Sequence, residues 1–292
     1  MKTLKGKIAV ITGAGSGFGR EFARLGAREG MRLVLADVQA DALAEVVEEL
    51  RGAADVIGEV VDVADAAAVA RLADRSYTAH GNVHLLMNNA GVGSGGYLWE
   101  STDKDWQWVM GVNLMGVVHG VRHFVPRMLE ANARGEPGHV VNTASMAGWL
   151  CPPLMGVYNV SKHAVVALTE TLFHDLRLAG SKIGVSLLCP AFVPTGIADS
   201  HRNRPQNLSD GGKATASQRS AHEAMVKAVT HGKLTAAEVA ELTFDAVTSD
   251  RFYVFTHPKI MPGVEARMRA ALAGTDPADP FATRPDAKPE SN

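Results

Sequence analysis

Tyr158 and Lys162 stand four apart in a stretch of helical pattern, so one helix face carries both a phenol and an ammonium. A phenol ordinarily titrates at about 10, too high for ready proton exchange near neutrality. A cation one turn away favours the phenolate and makes such a tyrosine a usable general acid or base. Alone, Y-x-x-x-K is also what an ordinary exposed helix pair looks like. Ser145 alters that reading, because it closes the apolar run HVVNTAS, at the end of a strand where ligands gather in open parallel sheets. It lies far enough before Tyr158 for an intervening loop to bring both hydroxyls to one pocket.

A second constellation sits at the start of the chain. Thr12-Gly13-Ala14-Gly15-Ser16-Gly17-Phe18-Gly19 follows the run KIAVIT and precedes an amphipathic stretch. Glycines there let the backbone turn tightly and approach a pyrophosphate, whose charge then rests on a helix N-terminus. The spacing is G-x-x-x-G-x-G through Gly13, Gly17 and Gly19, and no lysine follows Gly19, so this is not a P-loop. Asp37 ends the second apolar run at nearly the distance expected of a carboxylate that accepts ribose hydroxyls. It would repel a 2′-phosphate, and neither Ser16 nor Val38 supplies the cation such a phosphate wants, so NAD is expected over NADP. A cap for the helix beginning at Ala40 is the plainer role for Asp37. The glycines and the acidic strand end would also suit S-adenosylmethionine.

The elements that must position these groups alternate regularly. Lys7–Thr12, Arg32–Ala36, Val56–Val61, Val83–Met87, Gly138–Thr143, Val185–Leu188 and Arg251–Thr256 read as seven short strands. Helical patterns cover Phe18–Glu29, Ala40–Arg51, Ala66–Ala79, Trp106–Ala131, Val157–Leu178, a stretch from Thr235 and a last one from Val264 to Leu272. Such alternation predicts an α/β fold, a doubly wound, mostly parallel seven-stranded sheet with helices on both faces. Residues 1–274 read as one domain. Its polar segment 197–230 has no strand pattern and is expected to be a lid over the substrate. Residues 275–292, rich in Pro and Asp, read as a flexible tail.

Composition narrows the classes further. The chain has 292 residues, 46% apolar, with 29 basic against 31 acidic side chains, long enough to bury a large core without staples. A net charge of −2 offers no footprint for nucleic acid. No apolar run is long enough for a membrane span, and Met1–Lys7 lacks the features of a signal peptide, so a cytoplasmic location is expected. The two cysteines, Cys151 and Cys189, exclude a disulfide framework.

From about Lys5 to Thr195 the chain resembles the short-chain dehydrogenase/reductase family, in its large single-domain branch. The matching elements come in family order: Thr12–Gly19, Asp37, Asp62-Val63, Asn88-Asn89-Ala90-Gly91, Asn113, Ser145, Tyr158-x-x-x-Lys162 and Pro190–Thr195. The resemblance implies a Rossmann fold and decides against S-adenosylmethionine. It implies Tyr158 as proton donor or acceptor and Ser145 as the hydrogen-bonding partner of the substrate oxygen. Lys162 would bind the nicotinamide ribose and depress the tyrosine, and Asn113 would hold a water linked to the lysine. Gly13, Ser16, Gly17, Phe18 and Gly19 would form the cofactor turn, Asp62 and Val63 would meet the adenine, and Asn89, Ala90 and Gly91 would line the cofactor. Val193 and Thr195 would fix its carboxamide. Phe18 replaces the family's usual Ile or Leu, and Ala191 its usual Gly. After Phe252–Thr256 the chain runs into His257-Pro258 and a helix instead of a glycine-rich strand motif.

The expected activity is therefore NAD-dependent interconversion of a secondary alcohol and a ketone. The rival is a non-catalytic dinucleotide-binding regulator on the same fold. A sugar-nucleotide epimerase or dehydratase would need a larger C-terminal substrate domain. Trp149, Met155 and Phe192 are expected to line a pocket for a bulky apolar or aromatic substrate, with Tyr97, Leu98 and Trp99 nearby. His119 and His123 share a helix face but have no third ligand in view, so no metal is expected. Cys151 has no basic partner near it in sequence and reads as a pocket wall. The partners expected are a small-molecule alcohol or ketone and further copies of the chain, in a homodimer or homotetramer.

Overall fold

The computed structural model describes residues 1–209 and 211–282. Within them the apolar runs become strands β1 (Ile8–Thr12), β2 (Arg32–Asp37), β3 (Val56–Val60), β4 (Leu85–Asn88), β5 (His139–Thr143), β6 (Gly184–Cys189) and β7 (Tyr253–Phe255). These form one sheet in the order β3-β2-β1-β4-β5-β6-β7. Every pairing in it is parallel, where a mostly parallel sheet was expected. All residues of β1, β4, β5 and β6 are buried, as strands covered on both faces must be. The chain winds outward from β1 to β3 and restarts on the other side of β1 at β4. That reversal opens a crevice at the carboxyl ends of β1 and β4.

Nine α-helices are present among the described residues: α1 (Gly17–Arg28), α2 (Ala40–Leu50), α3 (Ala66–His80), α4 (Asp103–Met110), α5 (Gly116–Ala133), α6 (Gly156–Leu178), α7 (Ala216–Thr230), α8 (Ala236–Ser249) and α9 (Met261–Ala273). On one face Phe22 and Leu25 of α1 and Phe244 and Val247 of α8 bury Leu33 and Leu35. On the other, Leu72 of α3, Phe124 and Met128 of α5 and Leu176 of α6 bury Val34, Leu86 and Val140. No helix among the described residues is long and apolar enough to cross a membrane.

Two stretches differ from the sequence reading. The pattern Trp106–Ala131 is not one continuous α-helix: α4 and α5 are joined by a π-helical turn, Gly111–Met115. The polar segment 197–230 contains a full helix, α7, opened by a capping box in which Thr215 and Gln218 satisfy each other's backbone N–H. Before it, Gly196–Asn203 and Gln206–Leu208 form 3-10 turns. α7 rests on the loop after β4: the Tyr97 N–H donates to Ser217 Oγ at 2.9 Å, and Glu100 Oε2 accepts from Thr215 Oγ1 at 2.6 Å and Ser217 Oγ at 2.5 Å. Of the lid expected at 197–230, Asp210 lies outside the described residues, as do 283–292 of the expected tail.

Candidate active site

β1 ends at Thr12 and must turn at once into α1. Gly13 and Gly17 supply φ values of +68° and +52°, which side-chain-bearing residues rarely adopt. A Cβ on Gly13 would lie 2.8 Å from Ala90 Cα, and one on Gly19 would run into the Gly13 carbonyl. Ser16 caps α1 in extended conformation without a side-chain bond. The N–H groups of the first turn, which no helix can satisfy internally, therefore face the crevice as an anion cradle. The Phe18 ring turns away to stack near Phe22 at 6.4 Å, so its contribution to the turn is backbone.

The Thr12 hydroxyl accepts from the N–H groups of Asn89 at 2.9 Å and Ala90 at 3.1 Å, and Asn89 Nδ2 donates back to the Thr12 carbonyl at 3.0 Å. The ends of β1 and β4 are thus tied together, with Gly91 next in line. Asp37, buried at the end of β2, accepts from Gly15 N at 2.8 Å through Oδ2 and from Gln39 N at 2.9 Å through Oδ1. It does not cap α2, whose N-cap is Gln39. Asp62 accepts from Ala64 N at 2.9 Å, and the Val63 carbonyl accepts from His119 Nδ1 at 2.9 Å. That contact makes His119 a packing residue.

Asn113 sits in the π-helical turn, fully buried. Its Oδ1 accepts from Val92 N at 2.8 Å, and its Nδ2 donates to the Val92 carbonyl at 2.9 Å and Ser161 Oγ at 3.1 Å. It therefore clamps the loop after β4 to α6. A Cβ on Gly91 would lie 3.4 Å from Asn113 Oδ1 and 3.5 Å from Lys162 Nζ, so the glycine keeps that corner open.

Ser145 follows β5, its hydroxyl donating to the Pro190 carbonyl at 3.2 Å and accepting from Ala147 N at 3.1 Å. Tyr158 lies in the first turn of α6, with the Ser145 hydroxyl close enough to act on its phenol. Burial pushes the phenol above its ordinary value, and the Ser145 hydroxyl pulls the other way. Lys162, only 3% exposed, donates to the Thr143 carbonyl at 2.9 Å and stands 5.7 Å from the centre of the Tyr158 ring. Burial lowers its ammonium to about 8. Burial is the leading influence on both groups: it raises the phenol and weakens the lysine's hold on its proton.

Val193 is buried, and Thr195 packs against α1, its Cβ 3.2 Å from where a Gly17 side chain would begin. On the substrate side the residues scatter. The indole of Trp149 is turned toward β7, donating to Cys189 Sγ at 3.3 Å and meeting Tyr253 and Phe255 edge-on at 5.8 and 5.7 Å. Those contacts pack the ring against β6 and β7. Met155 forms a backbone bridge with Gly96, and Phe192 is 37% exposed. Tyr97 and Trp99 stack at 4.6 Å, with Trp99 80% exposed. Leu154, between Ser145 and Tyr158, is held at φ +62° while its carbonyl accepts from Gly96 N at 2.9 Å, a strained position for a leucine.

Two relationships escaped the sequence reading. Cys151 does have a basic neighbour: His163, brought round by α6, places Nε2 3.8 Å from its Sγ. Arg202 donates from Nε to Gln39 Oε1 at 3.4 Å and from Nη1 to the Gly196 carbonyl at 2.9 Å, bringing a cation beside the end of β2. Only the fold joins residues so far apart; nothing local to either signals the pairing.

A family model described as short chain dehydrogenase matches residues 7–206. The chain is 32% identical over 285 residues to a CLA biosynthesis dehydrogenase/reductase of Lactiplantibacillus plantarum, covering 95% of this chain and 97% of that one. It is 35% identical over 293 residues to a C alpha-dehydrogenase of Sphingobium sp., covering 97% and 92%. Among solved structures, a short-chain dehydrogenase/reductase from Burkholderia phymatum in complex with NAD superposes with a TM-score of 0.94 at 57% identity, over 97% of this chain and all of that one. With the parallel sheet and the order of its strand-end motifs, these matches establish the chain as a member of the short-chain dehydrogenase/reductase family of oxidoreductases.

Proposed function

We propose that the protein is an NAD(H)-dependent oxidoreductase that interconverts a secondary alcohol and a ketone. The observation that carries this reading is the grouping of Ser145 with Tyr158 and of Tyr158 with Lys162, whose ammonium lies at the corner kept open by Gly91. The cradle suits a dinucleotide. Side chains at Gly13 or Gly19 would fill it, and Asp37, with two backbone donors already on it, keeps acceptor capacity for ribose hydroxyls. The NAD complex of the Burkholderia relative favours the same cofactor.

Gly13, Gly17 and Gly19 would admit the pyrophosphate, Asp37 the adenosine ribose, Asp62 and Val63 the adenine, and Val193 and Thr195 the carboxamide. Bound NAD supplies a hydride acceptor or donor. Ser145 orients the substrate oxygen, and Tyr158 takes the hydroxyl proton in oxidation or returns it in reduction. Lys162 fixes the nicotinamide ribose and biases the phenol electrostatically. The exposed aromatics Tyr97, Trp99 and Phe192, on the loops that follow β4 and β6, favour a bulky apolar or aromatic substrate. Exposed Met115, beside α5, and Val160 on α6 favour a homodimer or homotetramer built on these helices. Light scattering at micromolar concentration tests that assembly, and a monomer refutes it.

The deciding experiment is a screen of aryl, cyclic and steroid secondary alcohols with NAD⁺, and of the matching ketones with NADH, followed by nicotinamide absorbance. Turnover in at least one class is expected. Nucleotide binding without turnover of any alcohol or ketone would favour the regulator reading.

A further inference from the structure

Resting on the dinucleotide reading above, we propose that Arg202 is a cofactor-binding residue whose guanidinium holds the pyrophosphate against the glycine turn. The chain leaving Thr195 crosses directly over that turn. Thr195 abuts Gly17 at the N-terminus of α1. The next residue, Gly196, accepts from Arg202 Nη1 at 2.9 Å, and Nε donates at 3.4 Å to Gln39, which follows the Asp37 corner. The guanidinium therefore spans from the Gly17 wall to the Asp37 wall. A Cβ on Gly196 would press within 3.1 Å of Nη2, so the glycine leaves room for the planar fork.

The charge balance at the turn points the same way. A pyrophosphate diester is a dianion, and Asp37 adds another negative group beside it. The turn 12–19 contains no basic residue. Arg20, which follows it, is committed to Glu49 at 2.7 Å, as is Arg24. Backbone amides and the helix N-terminus supply only partial charges. Arg202 makes its two hydrogen bonds to neutral oxygens, and among the described residues no carboxylate pairs with it. A guanidinium can serve two phosphate oxygens at once through its remaining donors.

The same cation beside β2 could instead serve a 2′-phosphate. The pyrophosphate is favoured because Nη1 is anchored at Gly196, on the Gly17 side, while the Asp37 carboxylate occupies the ribose side. Calorimetric titration of ADP-ribose, adenosine and NADP into the full chain separates these sources, comparing the parent with Arg202→Ala, Arg202→Lys and Gln39→Ala at low and high salt. Arg202→Ala should weaken ADP-ribose by about ten- to a hundredfold, the usual cost of losing a charge-assisted hydrogen bond. Adenosine should be unaffected, and the salt dependence of ADP-ribose binding should flatten. Arg202→Lys should recover part of the loss, and Gln39→Ala should lose less than Arg202→Ala. Equal ADP-ribose affinity in the parent and Arg202→Ala would overturn the inference while leaving the dinucleotide reading intact. A loss confined to NADP would reassign Arg202 to a 2′-phosphate and overturn it likewise. A parent that binds no ADP-ribose would sink both readings.

Discussion

Lys162 donates to the carbonyl of Thr143 at 2.9 Å, fastening the second turn of α6 to the last residue of β5. That bond holds the ammonium at the strand end while Tyr158, one turn earlier, meets Ser145. Tyr158→Phe removes the hydroxyl and keeps the ring and this bond. Turnover should fall by about 10²–10⁴, the usual share of general acid–base catalysis. NADH affinity, read by fluorescence, should stay within a fewfold of the parent. Near-normal turnover would overturn the role given to Tyr158.

Asp37→Ala should weaken NAD by roughly ten- to a hundredfold through loss of hydrogen bonds to a charged group. NADP should bind no worse, because a repulsive carboxylate has gone. Val38→Arg should improve NADP further by offering a phosphate partner. Because Asp37 also accepts from Gly15 and Gln39, the Ala variant should melt lower than Asp37→Asn. Catalytic efficiency with each cofactor and thermal melting check both expectations. A parent that prefers NADP would refute this role for Asp37.

His139 predicts an acid-side loss of stability. Burial in β5 holds its imidazole at about 3, below the ordinary 6.5. The folded protein thus keeps the ring neutral where the unfolded chain would protonate it. Stability from this group is whole above pH 6.5 and drains away as pH falls toward 3, by up to about 5 kcal/mol. Asp250, 3.8 Å from Nδ1, is more than half exposed and offsets little. Denaturant unfolding of the parent and His139→Gln across this window should show a flatter acid limb in the variant. Parallel limbs would refute the assignment.

We expect segment 197–230 to close further over the site when NAD and a substrate analogue bind together. Protease cleavage there should fall with both ligands present. Glu100 anchors the start of α7 as a carboxylate, its proton affinity lowered by the hydroxyls of Ser217 and Thr215. Glu100→Ala should therefore raise cleavage in the ligand-free protein. Identical digestion with and without ligands would remove the case for a lid.

The strand–helix rhythm, the glycine turn and Asp37 were readable because each is written locally, in apolar runs, in glycines forced by close approach, and in one carboxylate at a strand end. α7 was missed although Thr215-x-x-Gln218 is a capping signature. Its buried face consists of Ser217, Ala221 and Val229, too small and polar to register as an amphipathic stripe. The direction of Trp149 depends on Tyr253 and Phe255, and the position of Arg202 on Gln39, partners that only the sheet order brings near. The Cys151–His163 contact needs the turn of α6 that follows Tyr158. Tyr158 and Lys162 were found by spacing, but the direction of their proton affinities depends on burial, which spacing does not report.

The π-helical turn at Gly111–Met115 works as a change of phase. An α-helix advances roughly 100° per residue, and a wide turn slips that count by about one residue. Upstream, Trp108 and Val109 face the small cluster with Val92 and Val157; downstream, Phe124 and Met128 face the sheet. One length of chain thus addresses two partners lying in different directions, and Asn113 sits at the slip, where its amide can turn inward to Val92. Deleting a single residue between 111 and 115 would restore the regular winding, rotate one half against the other, and swing Asn113 off the loop it clamps. At this point in the fold, residue count carries information that residue type does not.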